Sequence, residues 1–484
     1  MSVEREFSPE IPEVIVVVTG LGLGEETKGA TVEWLTKILK AHTVIRSGGC
    51  NAGHHIITSD GKEQMFNHYG CGTFEGANTY LLHMTLFPVY VFDEAKELEE
   101  KGVKEPLKKI AIGKDCVAIT PYHGAVDRIK EISRGTNKRG TVGMGISDAV
   151  EESRTMPDLS IRAGEFLEDE EKLRQKIEAI RVYKLQQARE LFAKHPELKD
   201  SEAAQNDLRL LEDEAFVSMV VDSFVYLSKL VKIVGEDHLD EVLARKGAVI
   251  CEPSHGALHH PRQGFVPHIT QIDPTSQDIL ETLGKHAHNK KVIRLGVSRC
   301  YLTRHGAGPL VSFSQEFTDQ VQETHNAAGS EWLGQFRNGY YDVIMERYAM
   351  QISGGRESFN GLVISHLDVL NKFNQWPVVE AYIYEGEDNH DLDQYFETKD
   401  GKITGIKFHE DTGDESHLDH QRKLTKLLKD CKPVLTILKP GEGKTLEEVF
   451  LEYAEKKLGV PVVAVAHGPK AEDRKLRSGY ENLF

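Results

Sequence analysis

Two short stretches of this chain hold side chains whose types and spacing could do chemistry. Gly20-Leu-Gly-Leu-Gly-Glu-Glu-Thr-Lys-Gly29 joins a β-branched run at 14–19 to a helix-like stretch at about 31–40. Strand, glycine loop and helix in that order offer backbone N–H groups and the positive end of a helix dipole to an anion, so the loop suits a phosphate. It departs from G-x-x-x-x-G-K-[ST], in which Lys28 would follow glycine directly and precede Ser or Thr. About 25 residues on, Arg46-Ser-Gly-Gly-Cys-Asn-Ala-Gly-His54-His55 combines turn glycines with an amide and an imidazole. A third concentration, Cys251, His255, His259, His260 and His268, has a composition that could ligate zinc. Against it, the adjacent His259 and His260 cannot both face one site from a strand.

The elements that must position these residues alternate along the chain. Further strand candidates fall at 109–112, 116–120, 247–252, 291–297, 362–365, 378–384, 433–438 and 461–466, with helical patterns between many of them. That order predicts an α/β body with a largely parallel sheet. From 164 to 245 the pattern turns to charged amphipathic helix, with Leu173, Ile177, Ile180 and Tyr183 three and four apart, and predicts a helical subdomain. Residues 388–419 are acidic, contain histidines and are short of apolar side chains, as in a surface hairpin or loop excursion.

The 484 residues, 39% of them hydrophobic, can fill a sizeable core, and 1–484 is expected to form one large body. Acidic residues outnumber basic ones 76 to 59, which disfavours a nonspecific nucleic-acid surface and makes any phosphate site local. The sequence shows no apolar run of membrane-spanning length and no secretory start, so no membrane partner and a cytoplasmic location are expected. Six scattered cysteines without a C-x-x-C pair point to reduced thiols.

Taken in order, the motifs resemble those of the adenylosuccinate synthetase family. The first two stretches are similar to its G-D-E-G-K-G and G-G-N-N-A-G-H phosphate loops. Pro121-Tyr-His-Gly-Ala-Val-Asp127 resembles P-Y-H-x-A-x-D, and Arg134-Gly-Thr-Asn-Lys-Arg-Gly140 resembles G-T-T-x-R-G. Glu252-Pro-Ser-His-Gly-Ala-Leu258 with Pro267-His-Ile-Thr270 is similar to E-G-A-Q-G-T-L followed by P-x-V-T. Tyr301-Leu-Thr-Arg-His-Gly-Ala-Gly-Pro309 resembles Y-T-T-R-V-G-A-G-P, and Ser365-His-Leu-Asp-Val-Leu370 resembles T-K-L-D-V-L. Gly459-Val-Pro461 and His467-Gly-Pro469 resemble G-V-P and T-G-P. The helical stretch after Gly164 matches least.

The resemblance implies a P-loop-related α/β fold and a homodimer whose active sites share an arginine. It implies a ligase that uses GTP, or ATP, and Mg²⁺ to join L-aspartate to C6 of a purine nucleotide, IMP or dIMP. Oxide is a very poor leaving group; phosphorylating O6 turns it into phosphate, which leaves readily. By resemblance Glu25 is an Mg²⁺ ligand and the base toward purine N1, His54 donates to the transferring phosphoryl region, Lys28 pairs with phosphates, and Gly53 offers its carbonyl to Mg²⁺. The triphosphate set is Gly24, Glu25, Glu26, Thr27, Lys28, Gly29, Gly53, His54, His366, Asp368, His467 and Gly468. Asn51, Thr136, Asn137, Arg154, His255 and Thr270 are the purine monophosphate set, with Arg154 reaching the partner subunit's site. Arg139, Gln335 and Arg337 are the amino-acid set.

Four substitutions fall on these positions: Glu25 for aspartate, His255 for glutamine, His366 for lysine, and Gln335 for an arginine of the amino-acid loop. Glutamine cannot grip a carboxylate bidentately as arginine does, so amine recognition is altered or supplied from elsewhere. A related phage branch, 2-aminoadenylosuccinate synthetase, acts on dGMP and has a small residue where Glu25 stands, leaving room for a 2-amino group; Glu25 is larger. Two alternatives stay open: a ligase of modified-nucleotide or nucleoside biosynthesis using another purine or amine, and an inactive nucleotide-binding paralogue.

Overall fold

A computed structural model describes residues 12–135, 140–286, 288–321, 334–387 and 390–484. Six consecutive β-branched residues, 14–19, favour extended backbone and form the buried strand β1 (Val14–Gly20). Its side chains divide by parity. Val14, Val16 and Val18 enter one core while Ile15 and Val17 enter another on the opposite face, which places β1 in the sheet interior.

The following strands are β2 (Thr43–Gly48), β3 (His54–Ile57), β4 (Glu63–Phe66), β5 (Asn78–Leu86), β6 (Ile110–Gly113), β7 (Val117–Ala118), β8 (Ile161–Arg162), β9 (Lys232–Val234), β10 (Val249–Pro253) and β11 (Lys291–Arg299). After them come β12 (Leu302–His305), β13 (Phe336–Gly339), β14 (Tyr341–Asp342), β15 (Gly361–Ser365), β16 (Trp376–Tyr384), β17 (Phe396–Lys399), β18 (Lys402–Ile406), β19 (Cys431–Leu438), β20 (Val462–Ala466) and β21 (Arg474–Leu476). The main sheet runs β21-β20-β15-β11-β1-β10-β2-β5-β6-β9, with β7 and β8 beside β5. Every pairing from β20 to β9 is parallel, so the loops that leave these strands open on one edge. β21 closes the β20 side antiparallel.

Helix α1 (Lys28–Leu39) begins three residues before the periodic stretch and buries Val32, Trp34, Leu35 and Leu39 against the β1 face. Next come α2 (Pro88–Glu100), α3 (Pro121–Ser133) and α4 (Ile146–Thr155). The expected strand at 116–120 shrinks to β7, because Thr120 caps α3 and Pro121 opens it. Within 164–245 lie α5 (Glu170–Lys194), α6 (Glu202–Glu212), α7 (Phe216–Leu230), β9 and α8 (Asp237–Ala244); α5 buries Leu173, Ile177 and Ile180 as the spacing requires.

A second sheet, β14-β16-β18-β17 with β19 on β16, covers its own core. The acidic segment supplies the β17–β18 hairpin, in which Phe396, Ile403 and Ile406 are buried, while Phe408 just beyond it is exposed. Low apolar content concealed an anchored element. No described helix is long and apolar enough to cross a membrane.

Candidate active site

The loop after β1 is held in strained backbone. Glu25 (φ 66°) and Thr27 (φ 65°) are left-handed, which non-glycine residues adopt only where surroundings enforce it. Thr27 stands at the start of α1 without a side-chain cap, and its buried Oγ1 has no partner, so the first turn keeps N–H groups for an anion. Glu26 is buried and shapes the loop: one oxygen accepts the Gly24 N–H at 2.7 Å and the other holds Lys28 Nζ at 2.8 Å. Glu25 points elsewhere, to His305 Nε2 at 3.1 Å and Arg299 Nη2 at 3.6 Å. Burial would raise its pKa, but the His305 hydrogen bond and the Arg299 charge hold it down at about 2.

Glycines bring the other loops close. A Cβ at Gly29 would lie 2.8 Å from His54 Cβ and 2.9 Å from Cys71 Sγ, so only glycine lets α1 meet β3. A Cβ at Gly256 would overlap the Gly22 carbonyl and the Glu26 carboxylate, and this contact docks the loop after β10 on the first loop. Leu258 N–H donates to the same Gly22 carbonyl at 3.1 Å.

His54 opens β3. Its Nδ1 lies 2.6 Å from Glu252 Oε1, and Glu252, fully buried, also accepts the Cys71 N–H at 3.0 Å and meets Arg46 Nη1 at 3.3 Å. Arg46 and Glu252 are directly opposed in the β2–β10 register. Burial opposes ionisation of Glu252, yet Arg46 and His54 keep it below the ordinary glutamate range. A carboxylate only accepts and asks for a hydrogen on Nδ1, whereas Arg46 Nη1, which only donates, lies 2.7 Å from the same nitrogen and asks for a lone pair there; Glu252, the nearer of the two, is taken to set the tautomer, with the hydrogen on Nδ1. Burial first, then the Arg46 charge, pushes the imidazole down to about 4. Its Nε2 is buried and without a partner, a position from which it can serve an incoming group.

Sequence reasoning named His54 but not the two charged groups that orient it. The signal was a lone Arg in Thr-Val-Ile-Arg and a lone Glu in Val-Ile-Cys-Glu, opposite charges at the ends of two apolar strands. His54, Cys71 and Glu252 are the one described group with ligand atoms close enough for an ion, within 4.8 Å, but the guanidinium of Arg46 already balances the carboxylate. The zinc reading of Cys251 and its neighbouring histidines is corrected: Cys251 packs in the apolar core with Ile15 and Val17.

Asn51 Oδ1 is buried without a partner, and Asn51 and His255 both lie against Gly49. Burial, with Lys28 and other cations, pushes His255 down to about 3, so it is neutral. Thr270 is buried, its N–H bound to the His259 carbonyl, and the exposed Arg154 donates to the adjacent Gln271 carbonyl at 3.0 Å. Thr136, Asn137 and Arg139 lie outside the described residues. Gln335 is exposed. Arg337 spends Nη2 on the carbonyls of Gly306 (2.6 Å) and Gly308 (2.9 Å), bracing the turn after β12.

After β15, His366 (φ 60°) turns the chain so that Asp368 is exposed, within electrostatic reach of His467 and Asp473. His467 meets Glu447 at 2.8 Å. A Cβ at Gly468 would overlap the Asp473 carboxylate.

The sequence model of adenylosuccinate synthetase matches residues 17–474. The adenylosuccinate synthetase of Saccharopolyspora erythraea is 29% identical over 379 residues, covering 77% of this chain and 82% of that protein. That of Chlorobium chlorochromatii is 27% identical over 482 residues, covering 95% and 97%. The structure of fully ligated adenylosuccinate synthetase from Plasmodium falciparum superimposes with a TM-score of 0.70 at 18% identity, covering 96% of this chain and 99% of that one. Cyanophage S-2L succinoaminodeoxyadenylate synthetase, bound to dGMP and to dATP as energy donor, gives 0.57 at 12% identity over 96% and 95%. These two likenesses show the fold.

Proposed function

Since the chain belongs to the adenylosuccinate synthetase family, an NTP-dependent ligase family, we propose that it joins L-aspartate to C6 of IMP or dIMP through a 6-phosphoryl intermediate. The observation that carries this reading is His54: an imidazole oriented by a buried carboxylate, its second nitrogen unpartnered beside the anion-accepting start of α1. In the reaction the γ-phosphoryl group passes to O6, an amine attacks C6, and phosphate leaves. The Glu25 carboxylate, ionised throughout the physiological range, accepts the N1–H. Because so weak a base cannot remove this proton by itself, its transfer is concerted with phosphorylation of O6. His54 Nε2 faces the charge developing on the phosphoryl oxygens; an arriving polyanion favours the imidazolium, which then donates there while Glu252 keeps Nδ1 in place. Lys28 exchanges part of its bond to Glu26 for the phosphates.

The donor set fits Mg²⁺, a hard cation that takes one or two carboxylates plus phosphate oxygens: Glu25 supplies an ionised carboxylate and Gly53 a carbonyl. When bound, the ion would screen charge on the triphosphate. Asp368, exposed after β15, offers an acceptor for guanine N1–H and N2–H, which favours GTP as donor, with ATP the alternative because His366 stands where the motif has lysine. Arg154 completes the monophosphate site of a second copy.

A second reading, in which the amine is not aspartate, draws on the amino-acid loop, where Gln335 cannot form a fork and Arg337 is engaged by Gly306 and Gly308. The test is phosphate release from IMP, dIMP, GMP and dGMP, crossed with GTP or ATP and a panel of amino acids, with products identified by mass. Release that requires IMP or dIMP together with aspartate supports the first reading. Release with another amine selects the second, and no release from any combination rejects both.

A further inference from the structure

Three contacts join the first loop to the end of β11 and to β12. Thr303 Oγ1 donates to the Gly24 carbonyl at 3.4 Å. Arg299 Nε donates to the Glu25 carbonyl, bracing the residue in its left-handed conformation. His305 Nε2 donates to Glu25 Oε1 at 3.1 Å. The His305 ring is itself immobilised: it packs on Phe336, its partner in the β12–β13 register, with centroids 4.7 Å apart. A glutamate has three side-chain torsions, and at a site fixed only at its backbone its carboxylate would sample several rotamers. Here backbone and carboxylate are each tied to the segment 299–305.

We propose that His305 is a positioning residue for Glu25, holding the longer carboxylate back to the reach that aspartate would have from the same backbone. The inference rests on the ligase reading. Glu25 stands where the first-loop motif has aspartate, and His305 where the Y-T-T-R-V-G-A-G-P motif has valine, so the pair makes one coupled replacement: one partner adds a methylene and the other supplies the group that restrains it. A shorter carboxylate drawn toward His305 would fall short of the purine, and a longer one released from it would overshoot. Each displaces the acceptor by roughly 1 to 1.5 Å, one bond's advance along a staggered chain. Misplacement of about 1 Å at a reacting centre costs up to about 10²-fold in rate.

The test is a double-mutant cycle, His305→Val, Glu25→Asp and both together, on full-length protein with phosphate release as readout. Each single variant is expected to lower kcat at least about tenfold with the nucleotide KM within about threefold. The double variant is expected to recover at least about tenfold over the worse single one. A double variant whose loss is the product of the two single losses would overturn the proposal, as would a His305→Val protein with wild-type kcat. If wild-type protein releases no phosphate with any substrate pair, the ligase reading has failed separately, and the tether is judged by the same cycle in urea unfolding. Non-additivity of at least about threefold in the unfolding constant supports it there, and additive effects overturn it.

Discussion

Replacing Glu252 by glutamine keeps shape and removes one charge from the centre of the site. Three groups depend on that carboxylate: His54 Nδ1–H at 2.6 Å, the Cys71 N–H at 3.0 Å and Arg46 Nη1 at 3.3 Å. The glutamine oxygen can serve only part of this set, and Arg46, fully buried, loses its counter-charge. Breaking a buried ion pair from one side costs about 3 to 5 kcal/mol. Arg46 still donates to the carbonyls of Ala52, Phe66 and Asn67, so a cost near the lower end is expected. The effect on turnover has a different origin. A glutamine amide can donate to Nδ1 and move the imidazole hydrogen to Nε2, and the imidazolium loses the anion that stabilises it; the expected fall in kcat is at least about 10²-fold. Steady-state phosphate release gives kcat, and urea unfolding gives stability. Glu94→Gln is the control, because Glu94 is another buried carboxylate, accepting the N–H groups of Asn67, His68 and Tyr69 without touching His54. It should destabilise the protein while kcat stays within about threefold. Glu252→Gln protein that is folded and turns over within threefold of wild type would refute the orienting role.

Lys28→Ala and His54→Ala should each reduce turnover by at least about 10²-fold in the same assay; near-wild-type activity in either removes that residue from the chemistry. Mixing inactive Arg154→Leu with inactive His54→Ala subunits should restore partial activity, because one hybrid site receives both intact groups; no recovery after confirmed subunit exchange rejects the shared site. Glu25→Ser should narrow or reverse a preference for IMP over dGMP, read as the ratio of kcat/KM values, while lowering turnover on IMP. His42, near the start of β2, is pushed down to about 4 by burial and by Arg245 and Lys290. The unfolded chain therefore binds the extra proton first, and stability present above about pH 6.5 is lost as pH falls toward 4. His42→Asn should flatten that slope by up to about 1.4 kcal/mol per pH unit, measured by urea unfolding between pH 4 and 7.

The sequence made β1 and the loop into α1 legible because their signals are local: β-branched residues that fill both faces of a central strand, then glycines before an amphipathic run. The candidate residues inside glycine-rich loops stand out in the sequence for the same reason. Arg46 and Glu252 were quoted without a role, since they meet only through a strand register that joins positions 206 residues apart. His305 carries no local mark either, and its meaning depends on Glu25, 280 residues earlier. The 388–419 segment reads as a surface hairpin or loop excursion; a hairpin forms at β17–β18, and what averaging over the acidic segment hides is that Phe396, Ile403 and Ile406 anchor it in the core.

The parallel main sheet also governs when, during synthesis, this protein can bind its ligands. Candidate groups leave the ends of β1, β2, β10, β11, β15 and β20, and the last of these strands ends at Ala466. A nascent chain halted after β11 has Lys28, His54 and Glu252 but neither Asp368 nor His467. On the proposed function, a nucleotide that touches all of these groups stabilises only the state in which β15 and β20 have joined the sheet.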